Sequence, residues 1–154
     1  MDARRELIHA TAIVLDGRAA LIRGPAGSGK SDLALRCIDR APSPLVGQAA
    51  ILLADDQVWI ERRGDVLRAL APDTIRGLIE VRGLAIVEVP FVAEADAALV
   101  VEIVARDRIT RLPDPPPRRE IFGMSLPLLE VFAFDASAPL KVLLALRRVS
   151  EARC

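Results

Sequence analysis

Read as apolar and polar positions, the chain is a series of short hydrophobic runs cut by turn residues. Leu7–Leu15 is an alternating, β-prone run that predicts one strand, and Asp16-Gly17 predicts a hairpin turn after it. Ala19–Arg23 pairs back as a second strand and leads into a glycine-rich segment. From Lys30 to about Arg40 the period changes. Leu33, Ala34, Cys37 and Ile38 recur at helical spacing, and Ala41-Pro42-Ser43-Pro44 stops the helix. Ala49–Ala54 is continuously apolar, as in a strand buried on both faces, and it closes on Asp55-Asp56.

The second half reads the same way. Val58–Arg62 and Val66–Leu70 flank a turn at Arg63-Gly64-Asp65, and Leu78–Val81 and Leu84–Val89 flank Arg82-Gly83. Ala97–Ala105 is a further strand. Four prolines between Pro113 and Pro117 exclude regular structure there. Ile121–Phe134 predicts extended chain, and Ala138–Arg148 a closing helix whose basic last turn suits the helix dipole. No repeat and no linker splits the pattern. It predicts one α/β domain over residues 1–154, with a mixed, strand-rich sheet around the first helix and a C-terminal helix.

Composition narrows the function classes. A chain of 154 residues that is 52% hydrophobic can bury one core, so disorder is excluded. Four Phe and one Trp make that core aliphatic. Twenty-one basic and twenty-one acidic residues cancel, without a basic stripe, which argues against a nucleic-acid partner. No apolar stretch nears the roughly 18 residues of a membrane span. The run after Met1–Glu6 is too short for a secretory signal, and a reducing cytoplasm is the expected location. Cys37 and Cys154 have no metal spacing; Cys37 reads as a small buried hydrophobe and Cys154 as a frayed, free thiol.

The candidate chemistry begins in the glycine-rich segment. Gly24-Pro25-Ala26-Gly27-Ser28-Gly29-Lys30-Ser31 matches G-x-x-x-x-G-K-[ST]. Its glycines let backbone N–H groups approach an anion, and the next helix turns its N-terminus toward the phosphates. Lys30 would reach the β- and γ-phosphates, and the Ser31 hydroxyl would ligate Mg²⁺. The bland reading is a glycine turn capping an ordinary helix. A strand before the loop and an amphipathic helix after it favour a nucleoside triphosphate, ATP with Mg²⁺. The G-x-G-x-x-G dinucleotide pattern is absent, so nicotinamide or flavin chemistry has no support.

Asp55 and Asp56 place two carboxylates at the end of a buried strand. Beside a phosphate loop, an acid there either holds the metal's water shell or takes a proton from the nucleophile. Strand-end aspartates also cap turns without any catalytic role. His9, the only histidine, sits on the first strand.

In this order, His9, Gly24–Ser31, Leu53-Ala54-Asp55-Asp56 and Ile79-Glu80-Val81-Arg82-Gly83-Leu84-Ala85-Ile86-Val87, the chain resembles the catalytic domain of HPr kinase/phosphorylase. The last segment resembles the signature of that family, although Ala85 stands where glycine is usual. The resemblance covers nearly the whole chain and weakens after about Ala105. It implies a Mg²⁺- and ATP-dependent kinase acting on a serine of the phosphocarrier HPr or an HPr-like protein. Asp55 is then the proton acceptor, His9 the neighbour that tunes it, and Lys30 the phosphate-contacting lysine. Ser31 and Glu80 become the Mg²⁺ ligands. A further arginine aligns best with Arg111, with Arg108 and Arg106 as alternatives.

The family comparison also marks departures. The chain looks like a short proteobacterial form without the usual N-terminal domain, so the hexamer common in the family is expected with less force. The late proline–glycine–arginine loop linked to dephosphorylation has no counterpart, and Phe134–Pro139 occupies its place. Kinase activity is therefore better supported than phosphorylase activity. Ala41–Gln48 looks longer than the family needs and reads as a surface loop. Two other functions compete: a nucleotide-sensing module without turnover, and a phosphate-loop phosphotransferase with a small-molecule acceptor.

Overall fold

A computed structural model describes residues 4–152. The expectations for Met1–Ala3 and for Cys154 lie outside the described residues. In chain order come β1 (Arg5–His9), β2 (Thr11–Leu15), β3 (Arg18–Arg23), α1 (Lys30–Asp39), β4 (Ile51–Ala54), β5 (Gln57–Arg63) and β6 (Val66–Leu70). They are followed by β7 (Leu78–Val81), β8 (Ala85–Glu88), β9 (Glu94–Ile103), β10 (Arg118–Ile121), β11 (Met124–Val131) and α2 (Ala138–Ala152). Nine strands form one curled sheet, running β1-β5-β6-β9-β3-β2-β4, with β11 beside β9 and β10 beside β11. β9 pairs in parallel with β3 and β11 and antiparallel with β6, so the sheet is mixed as expected. The β7–β8 hairpin is a separate two-stranded ribbon.

Side-chain alternation divides the interior into two cores. Along β2, Ile13 and Leu15 pack toward the helices with Leu33, Cys37, Val142 and Leu146, while Ala12 and Val14 pack on the other face with Leu21, Leu53 and Ile60. β4 shows the same division over adjacent residues, since Leu52 joins the helix-side core and Leu53 the other. This is why its sequence is apolar without a break.

Three expectations need correction. The predicted strand Leu7–Leu15 is two strands, because the chain breaks at Ala10: β1 leaves to pair with β5, while β2 stays between β3 and β4. The break is held by the Ala10 N–H, which donates to the Asp56 carbonyl at 3.1 Å. The extended run Ile121–Phe134 is likewise interrupted, by a turn at Phe122-Gly123 with φ of 49° and 77°. That turn folds β10 back on β11. The closing helix also runs on to Ala152, which leaves no basic residue in its last turn. The expected dipole pairing there is not formed.

The Asp16-Gly17 hairpin is present, with both residues at positive φ (51° and 76°) joining β2 to β3.

Candidate active site

β3, α1 and β4 deliver the functional groups to one end of the sheet, where the C-terminal ends of β3 and β4 lie together. β3 ends at Arg23 and the glycine loop follows at once, with α1 starting at Lys30. Gly29 immediately precedes α1 with φ of 101°, a conformation that strains any residue with a Cβ. The Lys30 side chain is only 6% exposed, and its Nζ donates to the carbonyls of Gly24 (2.9 Å) and Pro25 (3.0 Å). The ammonium is folded back on its own loop and donates its hydrogen bonds to the backbone. Ser28 Oγ is buried in the same loop and has no hydrogen-bond partner. The loop thus holds an orphaned donor and a cation satisfied only by carbonyls, both suited to anionic oxygens.

The acidic pair follows β4, and its two members point to different places. Asp55 is 9% exposed and accepts three hydrogen bonds: Thr11 Oγ1 (3.0 Å) and Ser31 Oγ (2.5 Å) on Oδ1, and the Glu80 backbone N–H (2.9 Å) on Oδ2. It therefore ties β2, the start of α1 and the β7–β8 ribbon together. Asp56 has φ of 67°, which turns the chain over, and its exposed carboxylate meets His9 Nε2 at 2.6 Å. His9, expected beside Asp55, thus makes its hydrogen bond to the residue that follows it. The partner of His9 is Asp56, whose left-handed backbone turns the chain between β4 and β5.

These groups open on two clefts. The first encloses about 510 Å³ and is lined by the glycine loop, Lys30, Ser31, Asp32 and Leu35 on one wall. Asp56, Glu80, Val81, Arg82 and Phe134 complete it. The second encloses about 380 Å³ on the other side of the loop, between His9, Arg23, Gly24, Pro25, Glu102 and Ile103. The His9–Asp56 pair joins them, with Asp56 in the first cleft and His9 in the second.

Most of the expected site residues come together here: His9, Gly24–Ser31, Asp55 and Glu80. Arg111 does not. It lies exposed in the segment between β9 and β10 and lines neither cleft. Arg106 is held at Asp135 (2.8 Å) on the loop that carries Phe134, while Arg108 is exposed. Thr11 and Phe134 also belong to the site, and neither is part of its sequence motifs. Thr11 carried a signal, since it is the one polar residue in the fully buried strand β2.

Among the described residues no group of three or more His, Cys, Asp or Glu could hold a metal by itself. The donors present nonetheless suit Mg²⁺, which takes one or two protein oxygens and completes its shell with water and phosphate. Ser31 Oγ already lies against the buried Asp55 carboxylate, which has no cationic partner among the described residues, and Glu80 lines the same cleft.

The fold and this cleft define a mixed α/β domain with a curled sheet, a strand–loop–helix unit that starts from the interior strand β3, and a C-terminal helix. The chain belongs to the HPr Serine kinase C-terminal domain family, whose model matches residues 2–133. It is 33% identical over 130 residues to the HPr kinase/phosphorylase of Alkaliphilus metalliredigens, an alignment covering 77% of this chain and 40% of that protein. To the HPr kinase/phosphorylase of Cupriavidus necator it is 28% identical over 141 residues, covering 85% and 41%. The chain thus spans about two fifths of the length of these relatives. The structure of the Hpr(Ser) kinase/phosphatase from Coxiella burnetii superposes with a TM-score of 0.76 at 25% identity, covering 96% of this chain and 97% of that one. No helix among the described residues is long and apolar enough to cross a membrane.

Proposed function

We propose that this domain transfers the γ-phosphoryl group of ATP to a serine hydroxyl of HPr or an HPr-like phosphocarrier. The observation that carries the reading is the division of labour in the acidic pair. Asp55 is buried against Ser31, the loop residue expected at the metal, and Asp56 stands with His9 at the junction of two clefts. The proton-accepting role expected of Asp55 therefore goes to Asp56. A base has to reach the proton it removes, and Asp55 is committed to three internal donors.

In this mechanism the triphosphate lies along the first cleft and draws the Lys30 ammonium off the Gly24 and Pro25 carbonyls. The loop N–H groups and Lys30 stabilise the charge that spreads over the transferred group. Ser31, Asp55 and Glu80 would hold Mg²⁺, which neutralises and orients the β- and γ-phosphates when bound. The acceptor hydroxyl enters from the His9 side. Asp56 takes its proton, and His9 Nε2 keeps the carboxylate aimed at it. The Phe134–Pro139 segment supplies neither glycine nor arginine, so the forward reaction is better supported than phosphate removal. Incubation with HPr, ATP and Mg²⁺ tests the proposal, with phosphoserine as the readout. Bound ATP without any phosphoserine would leave a nucleotide-sensing module as the better reading.

A further inference from the structure

The first cleft holds an aromatic side chain that the phosphoryl-transfer chemistry does not use. Phe134 is 63% exposed, in a protein with four Phe and one Trp, and it lines the cleft beside the glycine loop. A Cβ built on Gly29 would stand 3.4 Å from its ring, so the ring rests against the residue just before Lys30. Its position is backed from behind. Phe132 meets it edge to face with centroids 5.7 Å apart, Arg106 lies 4.8 Å over the Phe132 ring, and Asp135 anchors Arg106 at 2.8 Å. An exposed ring with this much support is a surface prepared for a flat partner.

The chemistry of the cleft says which partner. Its polar, phosphate-facing end is Lys30 and Ser31 at the start of α1. Leu35 lies one helical turn beyond Ser31 on the same face and also lines the cleft, as do Val81 and Phe134. A ligand with its phosphates on the loop carries its other end toward this apolar part. We propose that Phe134 is the platform on which the nucleobase of the bound nucleotide stacks. The inference rests on the phosphate-loop reading and adds base recognition to it. Stacking on an aromatic face accepts any base, with purines favoured by their larger area.

Tripolyphosphate separates the two claims, because it presents the same phosphates without a base. In the Phe134→Ala protein, ATP affinity measured by calorimetry with Mg²⁺ should fall about tenfold or more while tripolyphosphate affinity stays at the wild-type value. Phe134→Trp should restore ATP affinity, and its new indole fluorescence should respond to ATP and not to tripolyphosphate. Unchanged ATP affinity in Phe134→Ala would overturn the inference. So would an equal loss for both ligands, which would make Phe134 a support for the loop. Wild-type protein that binds tripolyphosphate as tightly as ATP sinks the base platform alone; wild-type protein that binds neither sinks the phosphate-loop reading as well.

Discussion

His9 Nε2 lies 2.6 Å from Oδ1 of Asp56, while Asp55, one residue earlier, is turned inward under Ser31. The two aspartates should therefore fail differently. Asp56→Asn should keep ATP affinity and lower phosphoserine formation by about 10²- to 10⁴-fold, the usual worth of a positioned base. Asp55→Asn should weaken ATP binding mainly when Mg²⁺ is present. Calorimetry with and without Mg²⁺, beside the transfer assay, distinguishes them. Loss of ATP binding in Asp56→Asn would refute the division.

Thr11 links the pair: its Oγ1 donates to Asp55 at 3.0 Å and accepts the Asp56 N–H at 3.1 Å. Thr11→Val keeps the shape and leaves that N–H without its partner. The expected cost is about 1–3 kcal/mol in urea unfolding, with transfer reduced as Asp56 loses its anchor. A stability equal to wild type would mean that water replaces the hydroxyl.

Lys30 is a buried cation whose hydrogen bonds go to backbone carbonyls. Replacing it by Met removes the desolvation cost of the charge. Lys30→Met should melt at the wild-type temperature or above and bind ATP at least about tenfold more weakly. A large drop in melting temperature would instead identify Lys30 as a structural residue.

Gly29 and Gly47 form a matched pair of controls. At Gly29 φ is 101° and a Cβ would stand 3.3 Å from that of Ala133, whereas at Gly47 nothing lies within 4 Å. Gly29→Ala should cost about 1–2 kcal/mol from backbone strain alone and disturb the loop enough to abolish detectable ATP binding. Gly47→Ala should change neither property.

Burial pushes the Cys37 thiol up to about 12 from its ordinary 9.0, against smaller opposing effects of Arg36 and Arg40. Between those two values the unfolded chain has lost this proton and the folded protein keeps it. The stability contribution is complete below pH 9 and falls by about 1.4 kcal/mol per pH unit as pH rises toward 12. In a Cys154→Ser background, iodoacetamide at pH 8 should label Cys37 only as fast as the protein opens. Rapid labelling of the folded state would contradict its burial.

How much of this was legible beforehand differs from residue to residue. Glycine, lysine and serine at fixed spacing in Gly24–Ser31 are a local property, because the loop, its preceding strand and its helix are consecutive in the chain. The Asp16-Gly17 hairpin, α1 and the strand Val66–Leu70 are legible for the same reason: turn chemistry and periodicity act over a few residues. Through the family resemblance the sequence also pointed to His9, Asp55 and Glu80, which the fold brings close together. It could not decide which aspartate meets His9. That depends on one left-handed residue, Asp56, and on a strand break at Ala10 held by a hydrogen bond to a carbonyl 46 residues away, both settled by the pairing of β1 with β5. Only the tertiary structure brought Phe134 onto Gly29, and only it left Arg111 outside the clefts. Contacts between residues so far apart along the chain arise from the closing of the curled sheet, and no local pattern encodes them.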